Sequence, residues 1–451
     1  MLKKLIVRHA VNKWIKKTKD WDKNDWINYL NNVFDKYKGS KWTKQYFPEL
    51  EKMKYRDLIN YKIVHDYPSA PPDYPKYIEW TSSGTVERKV IRISRSDAMR
   101  MMYGIGRYLA DTGILSRVNS VLAIYSREEF ATSKVFMVTT EIFARKRLLV
   151  ALPRIREETR KIIKKGPYDT IAGLLGFLMY LFDQVIAEHD VLDDVIDIVT
   201  TGESLTRSVV NYFENIIKRW NKEFRIYNIY GCAEVGLIAG SLKDYSRLTY
   251  YPESAGLMIL TENNELIDVF EAKPGTVGEA IITMLKEMII PNYALGDIIE
   301  IVGIDRKGMP IIKVLGRKAK KIRVKIPEFG EVEGYVGGIL RFASVELNTY
   351  AWEEALGNLG INYFVLVRDY RTYAKMIIYT DKEIDEEEFF RELQKDPVQN
   401  FVGKMIQQGI IKLEIVRDPE ILKKILFAIE QAAQEERSPK IPRIILLREE
   451  S

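Results

Sequence analysis

Between Trp80 and about Leu315, short apolar runs alternate with amphipathic stretches, and this alternation restricts the possible folds more than any other feature of the chain. The strand-like runs are Val121–Tyr125, Leu148–Leu152, Thr170–Leu175, Ile196–Val199 and Arg225–Ile229, with helical stretches such as Leu205–Trp220 between several of them. Strands interleaved with helices predict a mainly parallel sheet covered on both faces. After Tyr250 the pattern turns to hairpins: Leu257–Leu260 with Leu266–Val269, and Ile298–Val302 with Ile311–Val314 around Arg306-Lys307-Gly308. A β-rich subdomain appended to an α/β core is expected.

At 451 residues the chain exceeds one ordinary core, so two or three domains are expected. Residues 1–78 carry Trp14, Trp21, Trp26, Tyr29 and Phe34 at helix-compatible spacings, which predicts a packed helical cap on the large domain. The run Pro68-Ser69-Ala70-Pro71-Pro72-Asp73-Tyr74-Pro75 reads as an extended connector. The α/β core with its β-rich subdomain fills 79–315. Beyond Gly316, strands at Tyr363–Val367, Lys375–Tyr379 and Ile411–Ile415 and helices at Asp385–Gln394, Gln399–Gln408 and Pro419–Gln434 predict a small, mobile α+β domain over 316–451. The fold class is therefore α/β.

The net charge of +6, from 69 basic and 63 acidic residues, is too small over this length to mark a nucleic-acid binder. Cys232 is the only cysteine, which excludes an internal disulfide and a multi-cysteine zinc site. Three histidines (His9, His65 and His189) leave little for a histidine-rich metal centre. The apolar run Ile171–Phe182 is shorter than the ~20 residues a spanning helix needs. No signal peptide is read at the N-terminus, and a cytoplasmic protein without nucleic-acid or membrane partners, a monomer or homodimer, is expected. Abundant Ile, Tyr, Lys and Glu with little Gln resembles the composition of thermophile proteins.

Five short segments carry candidate chemistry. Trp80-Thr81-Ser82-Ser83-Gly84-Thr85-Val86-Glu87-Arg88-Lys89 is a hydroxyl-rich loop ending in two cations, a composition suited to holding phosphate oxygens. Thr200-Thr201-Gly202-Glu203-Ser204-Leu205 ends a buried strand and opens a helix, where ligands bind in open α/β sheets. Tyr230-Gly231-Cys232-Ala233-Glu234 stands at another strand end; its ring offers a face to a purine and its carboxylate suits Mg2+ beside phosphates. Asp297, after Gly296, can accept two ribose hydroxyls, and Arg317, after Gly316, can reach a phosphate or ribose oxygen. Each segment alone is equally compatible with ordinary turn punctuation; their order is the stronger signal.

That order resembles the adenylate-forming superfamily, nearest its phenylacetate–coenzyme A ligase branch, over most of the chain. The resemblance implies an ATP-dependent enzyme that converts a small carboxylic acid into an acyl-adenylate and passes the acyl group to an acceptor, with coenzyme A expected. It implies that Ser82, Ser83, Gly84 and Thr85 cradle the β/γ-phosphates with help from Lys89, and that Gly202 and Glu203 line the adenine edge. Tyr230 beside Gly231 would stack on adenine, Glu234 would hold Mg2+, and Asp297 and Arg317 would hold the ribose. Lys440, in Ser438-Pro439-Lys440-Ile441-Pro442, is similar to the family's catalytic lysine, and Gly316-Arg317 to its hinge.

The chain departs from the family in four places: Val86-Glu87-Arg88 replaces a second glycine and a proline, Ala233 replaces a hydroxyl residue, Ala294-Leu295 replaces Arg-Thr, and Lys318–Ala343 does not resemble the family pattern after Gly-Arg. The short loop is also similar to that of plant acyl–amino acid synthetases. Two alternatives therefore stay open: an adenylating enzyme with an amine or carrier-protein acceptor, and a degenerate member that binds nucleotide without turnover. The basic run Lys318–Lys325 reads as the solvated face of a strand, with a site for the 3′-phosphate of coenzyme A as the other reading. The charge-free stretch Ile171–Leu181 suggests an apolar or aromatic acid.

Overall fold

The structure, a computed structural model, describes residues 2–448 apart from 69, 72, 82–89, 126–130, 152–160, 162, 165, 175–177, 179–180, 183–185, 187–189, 203–204, 206, 318–319, 327–329, 337–338, 343–344, 349–351, 353–354, 358, 370–373, 395–396, 408, 410 and 436–443. The chain divides into two compact units, Met1–Gly316 and Arg317–Ser451.

The first unit opens with three helices, α1 (Leu2–Thr18), α2 (Lys23–Tyr37) and α3 (Lys41–Tyr46). The start of α2 is fixed by Asp22, whose carboxylate accepts the amides of Asn24 and Asp25 while Asp25 returns a bond to the Asp22 amide. Its residues Trp26, Leu30, Phe34 and Tyr37 recur on one face and are buried. They pack in one core with Leu257, Ile281, Ile282 and Ile299 from the strands of the β-rich half. The tryptophan-rich pattern thus forms an apolar stripe laid on a sheet.

A short hairpin follows, β1 (Ile78–Thr81) with β2 (Val90–Ile93), and then the helix α4 (Arg95–Asp111), capped by Ser94 and Asp97. The parallel strands are β3 (Ser120–Tyr125), β4 (Lys146–Ala151), β5 (Tyr168–Leu174), β6 (Leu192–Thr201) and β7 (Glu223–Cys232). The antiparallel strands are β8 (Gly236–Ser241), β9 (Leu248–Tyr250), β10 (Ala255–Leu260), β11 (Leu266–Asp268), β12 (Val277–Met284), β13 (Ile290–Ile304) and β14 (Pro310–Arg317). Both sets form one twelve-stranded sheet, ordered β11-β10-β12-β13-β14-β9-β8-β7-β6-β5-β3-β4. The β-rich part is therefore continuous with the parallel part instead of a separate sheet. Alternate residues explain how the parallel half is covered: Ala123, Ala172, Val199 and Tyr227 share a core with Met101, Ile105 and Tyr108 of α4. A side chain at Gly173, one residue further along, would meet Leu178, which is fully buried and helical.

Among the described residues no helix is long and apolar enough to cross a membrane. The apolar run beginning at Ile171 is instead shared between β5 and the helical residues Leu178, Leu181 and Phe182, which are fully buried.

One half-buried acid gives the first unit a pH signature. Asp268 closes β11, accepts the Phe270 amide at 2.9 Å, and is pushed by burial up to about 6. Because the folded value lies above the unfolded one, the group contributes least below about pH 4 and costs stability as pH rises to about 6 and beyond. Asp268→Asn removes that cost and can still accept the Phe270 amide. Thermal unfolding scans at both ends of this window should show the variant gaining on the wild type as pH rises.

The second unit has a six-stranded sheet and a separate hairpin. Its strands in chain order are β15 (Lys320–Ile326), β16 (Gly330–Val336), the hairpin strands β17 (Ile339–Phe342) and β18 (Val345–Asn348), then β19 (Tyr363–Asp369), β20 (Ala374–Thr380), β21 (Ile411–Arg417) and β22 (Ile444–Arg448). The sheet order is β15-β16-β22-β19-β20-β21. Alternation sets its two faces: Tyr363, Val365 and Val367 join a core with Phe389 and Val402, whereas Phe364 and Leu366 join Leu422 and Ile425. In β15 the register places Arg323 opposite Glu333 and Lys325 opposite Glu331, so oppositely charged residues occupy facing positions.

Candidate active site

The β7–β8 hairpin is the centre of the candidate site. The chain leaves β7 at Cys232, turns through Ala233, Glu234 and Val235, and returns as β8 from Gly236. Gly231 makes the turn possible: a Cβ there would lie 2.1 Å from the Gly236 carbonyl oxygen, on rigid backbone. The turn is also held from outside. Trp80, at the end of β1, donates its indole N–H to the Ala233 carbonyl at 2.9 Å, joining segments 153 residues apart. The strand that leads into the hydroxyl loop is thereby tied to the turn that carries Glu234.

Glu234 is only 7% exposed, and among the described residues no cation lies within 4 Å of it. Its charge is felt by its neighbours: burial pushes the Cys232 thiol well up and the Glu234 carboxylate adds to it. A nearly buried carboxylate with no cation beside it among the described residues suits a bound cation. Among the described residues no three His, Cys, Asp or Glu side chains cluster as a metal cage. A metal here would draw its other ligands from a bound molecule and water, the habit of Mg2+ beside phosphates.

Tyr230 and Asp297 meet directly, the tyrosine hydroxyl donating to Asp297 Oδ2 at 3.0 Å. They stand on β7 and β13, four strand steps apart with β8, β9 and β14 between, so a flat sheet would separate them by about 19 Å. Their contact requires the sheet to curl back on itself. Gly296, immediately before Asp297, contributes to this path with φ of +77° inside β13, a conformation that favours glycine. The curl brings an aromatic ring and a carboxylate together beside the β7 hairpin.

Gly202 follows β6 with φ of +90°. Thr201, paired with Ile229, donates its hydroxyl to the Ile229 carbonyl at 2.8 Å, which sets the end of β6 beside the start of the Tyr230 segment. The structure thus gathers Gly202, Tyr230, Gly231, Glu234 and Asp297 around the end of β7. Ser82, Ser83, Gly84, Thr85, Lys89, Glu203 and Lys440 lie outside the described residues. Arg317 is the last residue of β14 and the first of the second unit. Sequence reasoning missed Trp80 as a brace of the turn that carries Glu234.

No family model matches the chain, and no curated protein sequence does. Solved structures do match. A 2-hydroxyisobutyryl-CoA ligase in the postadenylation state, in complex with R3-HIB-AMP, aligns with a TM-score of 0.55 at 11% identity, over 91% of this chain and 92% of that one. The same ligase with 2-HIB-AMP and CoA in the thioesterification state aligns at 0.54 and 11% identity, over 96% and 90%. The acyl acid amido synthetase AtGH3.15 in complex with 2,4-DB aligns at 0.50 and 13% identity, over 97% and 94%. The chain has the fold of the adenylate-forming enzymes. At these identities the likeness is one of fold, and it takes in a thioester-forming ligase and an amide-forming one alike.

Proposed function

We propose that the protein is an ATP-dependent, AMP-forming carboxylate ligase, similar to phenylacetate–coenzyme A ligases, that forms an acyl-adenylate and transfers the acyl group to coenzyme A. The observation that carries this reading is the Tyr230–Asp297 contact beside the hairpin of Glu234, which is nearly buried and has no cation within 4 Å among the described residues. An aromatic face, a hydroxyl acceptor and a lone carboxylate are what adenine, ribose and a phosphate-bound metal require.

In the first step a carboxylate oxygen of the acid bonds to the α-phosphorus of ATP, and the bond to the pyrophosphate oxygen breaks. In the second step the acceptor thiol bonds to the acyl carbon, loses its proton, and AMP leaves. Positioning and charge neutralisation supply most of the rate in such transfers. Tyr230 stacks on the adenine, whose edge Gly202 and Glu203 line. Asp297 accepts the ribose hydroxyls, with Arg317 as its partner in that role. Ser82, Ser83, Gly84, Thr85 and Lys89 hold the outer phosphates, and Lys440 orients the attacking carboxylate. Glu234 holds Mg2+, which when bound neutralises phosphate charge.

A second reading, an amine as acceptor, is supported by the fold shared with an acyl acid amido synthetase. The test of the common first step is exchange of radiolabelled pyrophosphate into ATP across a panel of carboxylic acids. Acid-dependent exchange that Lys440→Ala suppresses is expected, and product analysis with coenzyme A or amines then assigns the acceptor. ATP binding with no exchange for any acid would overturn the ligase reading in favour of a nucleotide-binding protein without turnover.

A further inference from the structure

Trp80 is 4% exposed and stands one residue before the end of β1. It pairs with Ile91 across the β1–β2 hairpin, and both belong to a core with Ile93, Met101, Leu237 and Tyr251. The hairpin is a two-stranded sheet of its own, so no strand ladder joins it to the twelve-stranded sheet. The indole N–H crosses that gap, donated to the Ala233 carbonyl at 2.9 Å.

The bond acts on a particular peptide. The Ala233 carbonyl belongs to the peptide unit whose nitrogen is that of Glu234. A peptide unit is planar, so holding its oxygen orients the plane that carries the Glu234 Cα. Ala233, Glu234 and Val235 lie between Cys232 and Gly236, the last paired residues of β7 and β8, so the ladder does not orient this peptide. A buried indole N–H needs an acceptor, and that need keeps the carbonyl turned toward Trp80.

The far end of the hairpin is anchored separately. Arg92 donates through Nε to Glu79 and through Nη1 to the Pro71 carbonyl, both at 3.1 Å, and the Ile93 carbonyl accepts the Tyr77 amide at 2.9 Å. At the near end Thr81 pairs with Val90, the two residues that flank the hydroxyl loop. Those flanks and the backbone of Glu234 are therefore set against each other through Trp80.

We propose that Trp80 is a positioning residue for Glu234, fixing through the Ala233 peptide where the carboxylate meets its metal ion. This inference rests on the ligase reading, in which Glu234 holds Mg2+ beside the phosphates of ATP. The Tyr230–Asp297 contact joins β7 to β13 and does not pass through Trp80, so loss of the indole bond acts on the metal and leaves the nucleoside contacts in place.

The test is acid-dependent exchange of radiolabelled pyrophosphate into ATP over a range of Mg2+ concentrations, below the Tm of each variant, with AMP affinity measured by calorimetry. Trp80→Phe keeps an aromatic ring in the core and removes the donor. It should slow exchange about tenfold and raise the half-saturating Mg2+ several-fold, with AMP affinity unchanged within about twofold. Trp80→His fills the core less well, but its Nε2 can take the ring position of the indole nitrogen and donate. It should therefore need less Mg2+ than Trp80→Phe although its Tm is lower. Ile91→Val trims the same core without touching the bond, and should lower Tm with no change in the Mg2+ requirement. An unchanged Mg2+ requirement in Trp80→Phe overturns the inference, as does an equal shift in Ile91→Val. So does a Trp80→His requirement as high as that of Trp80→Phe, or a Trp80→Phe loss of AMP affinity as large as its loss of exchange, either of which would make Trp80 a packing residue alone. A wild type with no acid-dependent exchange overturns the ligase reading itself, and this inference with it.

Discussion

Glu253→Ala should destabilise the protein by about 3–5 kcal/mol, measured by denaturant unfolding, because it strands a buried guanidinium. Glu253 is fully buried, and its carboxylate takes Arg107 Nε at 2.6 Å and Nη2 at 3.2 Å. The Arg107 guanidinium sits over the rings of Trp26 and Tyr251 at 4.2 and 4.4 Å, faces that carry no full negative charge. Trp14 donates to the same carboxylate at 3.4 Å, and the Tyr29 hydroxyl to the Glu253 backbone carbonyl at 2.8 Å. The pair therefore fastens α1, α2 and α4 to the turn between β9 and β10. Replacing both partners, Arg107→Leu with Glu253→Leu, should recover much of the loss, since an apolar pair leaves no uncompensated charge. Asp73→Ala at the exposed Lys41–Asp73 pair should change stability little, although that pair is only 2.5 Å apart. Equal effects at the two sites would show that burial does not set the cost here.

The parallel half of the sheet was legible because each of its strands carries a short stretch rich in apolar residues, and such stretches show without reference to partners. Val121–Tyr125 lies within β3 and Arg225–Ile229 within β7. The C-terminal elements were legible for a related reason: Tyr363–Val367 alternates between two cores, and Pro419–Gln434 keeps a helical period. What the sequence did not reveal is the joining of the two sheet halves. The ladder from β7 through β8 and β9 to β14 includes a three-residue strand, Leu248–Tyr250, too short to carry a pattern of its own. The site shows the same division. Tyr230 and Asp297 could each be picked out by residue type and place in a motif, but their contact depends on how a twelve-stranded sheet curls.

Glu234→Gln should lower acid-dependent pyrophosphate exchange by roughly 10²–10³-fold, about 3–4 kcal/mol of transition-state stabilisation, while leaving the fold intact. The amide keeps the size and shape of the side chain and removes the charge that would hold a cation. Stability should change little because Glu234 makes no ion pair among the described residues, so no buried cation is orphaned. This is the opposite of the outcome at Glu253, though both are nearly buried glutamates in the same unit, and the difference lies wholly in whether a protein cation is already present. Raising the Mg2+ concentration should recover part of the variant's exchange, since weaker metal binding is answered by mass action. A chelator should abolish exchange in the wild type and leave its Tm unchanged, as no metal is needed to complete the core. Full exchange in Glu234→Gln would remove the carboxylate from the mechanism, and the Tyr230–Asp297 contact would then mark a nucleotide site without a metal. A large loss of Tm in the variant would instead show that the hairpin between Gly231 and Gly236 needs the carboxylate to fold, and the assignment of its role as chemical would be withdrawn.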